Sequence, residues 1–362
     1  MTEKVDILVV GSGPAGSVAA RYAAESGASV KILERRPEVG VPVRCGEFMP
    51  SNEEISTMFP KAKDIDSLFD IPEDLRCLET YGIRLIDPKD KVTTLELKGY
   101  TTDRDRFDKH LAQLAVEAGA DISFNDSFRE VRDGIALTDK GEIEYKVLIG
   151  ADGPGSRVAQ NLGLKKNRNP YPAVTVQVKG DFEPYMKMYF GGIAPRAYGW
   201  VIPKDGRANV GVGFSPKYAN GSLQTYLDKF MERNGFKAEG KAFGKYVPSE
   251  GPIEKTVSGN GMVVGDAAGQ VISVNGGGIP LAMIAGRICG TVAGENVSNG
   301  TSLENYEIQW REVMEKPLKT AAFNKKLADT FAFGSDFTTK MCMGILGKRR
   351  MGNLIRCKRI FP

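Results

Sequence analysis

The sequence predicts a mixed α/β (α+β) fold: a parallel-sheet domain interrupted by an antiparallel sheet and followed by a helical region. Three observations carry this prediction. The run Val5-Asp6-Ile7-Leu8-Val9-Val10 leads directly into Gly11-Ser12-Gly13-Pro14-Ala15-Gly16, and Glu34 closes the next apolar run eighteen residues after the third glycine. Between residues 173 and 214 the pattern changes to alternation, as in Val174-Thr-Val176-Gln-Val178, which suits strands with one buried face. From residue 303 onward the spacing is helical, with Pro317 expected to kink the run.

The glycine segment reads as a Rossmann-like dinucleotide grip, and each residue has a physical reason. Gly11 lets the strand turn sharply, Gly13 lets the backbone approach a pyrophosphate, and Gly16 lets the next helix pack on the strand. Pro14 suits the first helical turn, where no amide hydrogen is needed. A diphosphate would sit on the helix amides, and the Glu34 carboxylate would accept from a ribose diol. The same carboxylate would repel a 2′-phosphate, so a phosphorylated ribose is excluded although Arg35 and Arg36 follow.

The remaining elements follow in order. A glycine-bearing loop, Gly40 to Glu47, precedes a polar stretch to residue 74 and strand-like segments at 81–86 and 92–97. Residues 105–118 have helical periodicity and stop at Gly119, and short strands at 122–124, 128–131, 135–137 and 145–149 return to the first domain. The first domain resumes at Met262-Val263-Val264-Gly265-Asp266, and a helix runs through 281–289. The predicted division is therefore 1–75, 100–170 and 255–300 for the discontinuous nucleotide domain, 76–99 and 171–254 for the substrate sheet, and 301–362 for the helical region.

Composition narrows the chemistry. At 362 residues with 41% hydrophobic and 26% charged residues, the chain has material for more than one ordinary soluble domain. With neither a twenty-residue apolar run nor a signal-like start, a cytoplasmic protein is expected. Five cysteines without a Cys-x-x-Cys pair and a single histidine, His110, argue against a metal site and a Ser/His/Asp triad. Any acid or base must then be Cys, Tyr, Glu, Asp, Lys or water. After Asp336 no acidic residue appears, while Lys340, Lys348, Arg349, Arg350, Arg356, Lys358 and Arg359 interleave with apolar residues. This tail suits either an anionic membrane surface, with peripheral attachment, or a helix packed on the body with its basic face in water. The rest of the chain has no matching basic stripe, so nucleic acid is not an expected partner.

Two further motifs point to the cofactor. The segment Gly150-Ala151-Asp152-Gly153 resembles the Asp-Gly motif of flavoproteins related to para-hydroxybenzoate hydroxylase, and Gly265-Asp266-Ala267-Ala268-Gly269 resembles their Gly-Asp motif. Arg104 stands three residues before Phe107-Asp108, as in that family's Arg-x-x-Phe-Asp helix start. The resemblance covers essentially the whole chain and implies bound FAD. The cofactor-binding residues it implies are Gly11, Gly13, Ala15, Gly16, Glu34, Cys45, Gly46, Arg104, Phe128, Asp152, Asp266, Gly278 and Ile279. Gly276, Gly277 and Gly278 before the helix at Ile279 would leave backbone amides free to face the flavin pyrimidine edge.

The substrate is suggested by Pro195-Arg-Ala-Tyr198-Gly-Trp200-Val-Ile202-Pro203. This run is similar to the Pro-x-x-Tyr-x-Trp-x-Phe-Pro motif of geranylgeranyl reductases, with Ile202 in place of phenylalanine. It also overlaps the Trp-x-Trp-x-Ile-Pro pattern of flavin-dependent halogenases, whose catalytic lysine has no counterpart we could place. The Cys45-Gly46-Glu47 loop favours the reductases, and the chain most resembles the archaeal digeranylgeranylglycerophospholipid reductases, which saturate isoprenoid chains of ether lipids. The resemblance implies an isoprenoid lipid substrate and an external electron donor, either NADH, NADPH or reduced ferredoxin.

Cys45, Tyr198 and Trp200 are the expected catalytic residues, and Tyr189, Phe190 and Phe214 are further aromatic candidates for a tunnel lining. An isolated alkene needs a proton as well as a hydride, and the donors nearest by motif are Cys45, Glu47, Tyr198 or an ordered water. An FAD-dependent aromatic monooxygenase and a FixC-like electron-transfer flavoprotein are the competing classes.

Overall fold

A computed structural model describes residues 2–167 and 169–361 and contains two eight-stranded sheets. Strand Glu3–Val10 lies inside the first sheet, with Ile7, Leu8 and Val9 wholly buried. It pairs in parallel with Val30–Glu34 and with Glu142–Gly150; Asp121–Phe124 and Gly261–Val263 extend the parallel order on either side. Such strands are covered on both faces, so their sequences are continuous apolar runs. The hairpin of Phe128–Arg132 and Ile135–Thr138 attaches antiparallel to Glu142–Gly150.

Helix Pro14–Glu25 packs closely on helix Ile279–Asn299. Gly286, Gly290 and Gly294 lie along the contact, and a methyl group at Gly290 would stand 2.1 Å from the Ala19 carbonyl oxygen. These glycines allow the two helices to touch backbone to backbone, which carries the loop before Ile279 toward the first glycine turn.

The second sheet runs in the order Ala238–Val247, Tyr171–Lys179, Arg207–Gly213, Gly199–Lys204, Tyr185–Tyr189, Arg76–Ile86, Val92–Thr102 and Phe48–Pro50. It differs from the sequence expectation in four respects. The sheet is mixed, because Tyr185–Tyr189 pairs in parallel with Arg76–Ile86. The long chain between those strands builds part of the other sheet, so no tight hairpin forces an antiparallel return. Strand Val92–Thr102 continues past residue 99, and Phe48–Pro50 joins this sheet rather than the first. Strand Ala238–Val247 went unpredicted because it is a largely exposed edge strand with no buried alternation.

The two faces of this sheet are covered differently. Val176, Val210 and Val212 pack beneath helix Leu223–Asn234, against Leu227 and Phe230. On the other face Leu85, Leu97, Met186 and Met188 meet Met351 and Ile355 of the last helix, with Phe190, Tyr198 and Ile202 at the edge of the same cluster.

Pro317 stands directly after a π-helical turn, Arg311–Glu315, in a run that stays helical from Glu304 to Leu327, so the hydrogen-bond ladder departs from the α pattern next to the residue that cannot donate to it. An interruption the sequence pattern did not announce comes at Gly347, whose φ of 65° and ψ of 172° break helix Asp336–Ile355. No helix among the described residues is long and apolar enough to cross a membrane.

Candidate active site

The first glycine turn has the geometry its spacing predicts. Gly11 has φ of 103° and its amide donates to the Leu33 carbonyl at 2.8 Å, while a methyl at Gly16 would stand 1.9 Å from the Gly11 carbonyl oxygen. Ala15 is buried behind the turn. Helix Pro14–Glu25 starts at Gly13 with no side-chain cap, and a methyl at Gly13 would meet nothing within 4 Å. The helix therefore presents uncapped amides to open space, which suits a diphosphate.

Glu34, buried at the end of its strand, accepts from the Ser12 hydroxyl at 2.6 Å and from the Arg36 amide at 2.9 Å. Burial works against its charge, but the Ser12 and Arg36 contacts outweigh it and hold the carboxyl below its ordinary pKa. An ionised acceptor is what a ribose diol requires. Asp152 accepts from the Arg157 amide at 2.7 Å through Oδ2, whereas its buried Oδ1 has no hydrogen-bond partner. That orphaned oxygen, the uncapped helix and the open face of Gly13 together fit a dinucleotide such as FAD. Phe128 contributes its ring to the core beside Leu33, and its carbonyl accepts from Arg157.

Away from the glycine turn three further segments converge: the loop at 45–47, strand Gly199–Lys204 and the loop at 274–278. The Tyr198 hydroxyl donates to the Asn275 carbonyl oxygen, joining the second sheet to the glycine loop. Gly278 lies against Asp266, where a methyl would stand 3.4 Å from Oδ1, and Ile279 begins the helix as a buried residue. Asp266 Oδ2 is 2.7 Å from Lys245 Nζ, and this pairing raises the pKa of the lysine. Lys245 was missed by the sequence reading because its strand lacks a periodic signal.

A buried polar network fixes the Cys45 loop. Asn209, wholly buried, donates from Nδ2 to the Cys45 carbonyl and to Glu47 Oε2, both at 2.8 Å. Its Oδ1 accepts from Trp200 Nε1 at 2.8 Å and from the Thr175 hydroxyl at 2.5 Å. Glu47, also buried, accepts from Lys204 Nζ at 3.0 Å, Gln177 Nε2 at 2.8 Å and the Arg104 amide at 3.2 Å. Lys204 also pairs with Asp103. Burial disfavours both of these charges, yet the contacts with Glu47 and Asp103 raise the lysine's pKa, and Lys204 lowers that of Asp103.

The network uses Glu47 as an acceptor on both oxygens, so it has no proton to give. The Glu47 amide donates to Cys45 Sγ at 3.3 Å, and a methyl at Gly46 would stand 2.8 Å from Ile202 Cδ1. Asn209 carried one detectable signal, as a polar residue inside the apolar run Ala208-Asn209-Val210. Its partners are 164 and 162 positions away, at Cys45 and Glu47.

Arg104 forms a two-pronged pair with Asp108, at 2.9 and 3.0 Å, beside Cys45. Burial opposes its charge, but Asp108 outweighs it and holds the guanidinium protonated. Among the aromatic candidates, Tyr198 and Trp200 stand edge to face with centroids 6.1 Å apart, and Phe190 is 6.1 Å from Tyr198. Tyr189 and Phe214 do not join them. Tyr189 packs on Phe230 and Phe214 on Tyr226, both residues of helix Leu223–Asn234, on the opposite side of the sheet. Alternation along the strand sends Phe190 and Tyr189 to opposite faces.

Comparison with known proteins agrees with this architecture. Residues 171–246 match the geranylgeranyl reductase catalytic domain, and residues 9–56 match an NAD(P)-binding Rossmann-like domain. The digeranylgeranylglycerophospholipid reductase 2 of Methanothermobacter thermautotrophicus is 38% identical, over 90% of this chain and 88% of the relative. The digeranylgeranylglycerophospholipid reductase of Methanocaldococcus jannaschii is 35% identical, over 86% and 83%. The crystal structure of a geranylgeranyl bacteriochlorophyll reductase-like protein from Thermoplasma acidophilum superposes with a TM-score of 0.84 at 31% identity, covering 95% of this chain and 92% of that one. A flavin-dependent brominase shares the fold at 18% identity, with a TM-score of 0.71 and coverage of 98% and 94%. With relatives this similar across most of its length, the chain belongs to the geranylgeranyl reductase family, among the digeranylgeranylglycerophospholipid reductases.

Proposed function

We propose that this protein saturates carbon–carbon double bonds in the geranylgeranyl chains of an archaeal-type ether phospholipid. The observation that carries the reading is the convergence of Cys45, Tyr198 and Trp200 beside the glycine loop at 274–278, in a chain whose relatives bear that name. Residues 1–75, 100–170 and 255–300 would hold the cofactor, and 76–99 with 171–254 the lipid.

Bound FAD, once reduced, supplies the hydride. The Gly11 to Gly16 turn, with Glu34 and Asp152, would hold the adenosine and diphosphate end; Asp266, Gly278 and Ile279 would hold the other. Phe190, Tyr198, Trp200 and Ile202 present an apolar wall that keeps water from the reacting carbon. An unpolarised alkene must receive a proton on the carbon that does not take hydride. Glu47 is excluded as donor by its own hydrogen bonds, and Tyr198 commits its hydroxyl to Asn275 while burial pushes its pKa upward. With those two committed elsewhere, Cys45, whose Sγ is held by the Glu47 amide, is assigned as donor. Trp200, fixed through Asn209, positions the alkene.

NADH, NADPH or reduced ferredoxin would deliver the electrons, and the enzyme would work in the cytoplasm at the membrane's inner face. The test is anaerobic incubation of the dithionite-reduced holoprotein with a digeranylgeranyl phospholipid, followed by mass spectrometry. Stepwise gain of hydrogen pairs is expected; unchanged lipid mass with a fully reduced flavin overturns the reading.

A further inference from the structure

The last helix is apolar on two sides. Its inner side, through Met343, Leu346 and Met351, packs on the second sheet. Its outer side carries Phe337, Met341 and Ile345, spaced four apart and 72%, 48% and 64% exposed, with Phe331 at 66% just before it. A helix that only covers a sheet has a polar outer face. Lys340 is exposed within the turns of the strip, Lys348, Arg349 and Arg350 are exposed just past the break at Gly347, and no acidic side chain follows Asp336, whose carboxylate accepts from the Gly192 amide at 2.6 Å.

The strip adjoins the site. Asp336 holds the helix start to the loop after Phe190, and Phe333 stacks on Phe190 with centroids 6.2 Å apart and planes 13° apart. Phe190 in turn neighbours Tyr198. An aromatic path thus leads from the base of the exposed strip to the proposed reaction centre.

We propose that the outer face of helix Asp336–Ile355, with Phe331, docks the protein on an anionic lipid bilayer. The choice of partner rests on the lipid-reductase reading. Positive charge beside exposed large apolar residues matches a surface of acidic headgroups over acyl chains. A symmetric contact with a second copy would instead bring the Lys348, Arg349 and Arg350 clusters together with no acid from this segment between them.

The test is flotation of the holoprotein with phosphatidylglycerol or phosphatidylcholine vesicles, without substrate. At 0.1 M salt, binding to the anionic vesicles is expected to be more than tenfold tighter than to the neutral ones, and to weaken at 1 M salt. The triple variant Phe337→Ser, Met341→Ser, Ile345→Ser should lose more than tenfold in vesicle affinity while its flavin spectrum and its turnover of detergent-dispersed lipid stay unchanged. The variant Lys348→Ala, Arg349→Ala, Arg350→Ala should lose affinity for the anionic vesicles alone. Equal binding to both vesicles, no binding, or undiminished binding by the serine variant overturns the proposal. So does a dimer, seen by sedimentation velocity, that the serine variant converts to monomer. Vesicle binding that persists when no lipid is reduced sinks the reductase reading and leaves the docking surface standing.

Discussion

The glycine turn and the Cys45 loop are walls built from different materials. The wall at residues 11–16 is backbone: glycines, uncapped helix amides and one acidic side chain at the end of the neighbouring strand. The wall behind Cys45 is made of side chains, with buried Asn209, Glu47 and Lys204 and half-buried Trp200 in one hydrogen-bond network. A backbone wall is specified by short-range spacing and suits a cofactor common to many reactions. A side-chain wall is specified by contacts across the fold and suits one substrate.

This contrast can be broken by experiment, since damage to the Cys45 wall should abolish turnover with flavin retained, and damage to the glycine wall should do the reverse. Cys45→Ala is expected to lower turnover of the geranylgeranyl lipid by about 10²-fold or more, the scale of a lost general acid, with flavin content unchanged. Full activity in that variant would remove the thiol from the mechanism. Asn209→Leu should destabilise the protein by about 3 kcal/mol in urea unfolding, because it strands the Trp200 N–H and the Cys45 carbonyl and leaves Glu47 Oε2 with Gln177 alone. A loss below about 1 kcal/mol would mean that the network is not what holds the loop.

On the backbone side, Gly16→Ala forces a methyl against the Gly11 carbonyl and should weaken FAD binding by more than about tenfold, or about 1.4 kcal/mol, measured by flavin fluorescence. Turnover per bound FAD should stay near wild type. Ser12→Ala removes one hydrogen bond to Glu34 and should weaken FAD binding by about 1 kcal/mol, the smallest of these effects.

Acidity supplies a further test of the side-chain wall. Asp103 titrates below its ordinary value of 3.8 in the folded protein, so its contribution is present above that pH and is lost as pH falls through the folded value. Lys204 titrates above its ordinary 10.5, so its contribution holds below that pH and is lost on further rise. Urea midpoints should therefore be sustained by this pair between about pH 5 and pH 10. Lys204→Met should flatten the acid limb of the profile; an unchanged limb would show that other groups control it.

How much could be read in advance follows the same division. The first strand, its glycine turn and Glu34 were legible because the whole device lies within 34 residues. Tyr198 and Trp200 were singled out by their motif, but Asn209, which holds Trp200, was not, because its partnership with Cys45 exists only in three dimensions. Tyr189 and Phe214 were misplaced because aromatic content along a strand does not reveal which face is covered by a helix. Edge strand Ala238–Val247, mostly exposed, gave no periodicity to read, so Lys245 beside Asp266 was also missed.

The interleaving of the two sheets also sets a timetable for synthesis. Strand Glu3–Val10 is among the first segments to leave the ribosome, yet the parallel sheet it belongs to lacks Gly261–Val263 until nearly three quarters of the chain has emerged. The hairpin of Gly199–Lys204 and Arg207–Gly213 needs only neighbouring residues and can close soon after both strands emerge. The nascent protein should therefore carry an organised hairpin of the second sheet before the first sheet is complete, and its earliest strands must wait in a partly assembled, protease-sensitive form. Limited proteolysis of ribosome-stalled chains would show that order as protection appearing first around residues 199–213 and only later at residues 3–34.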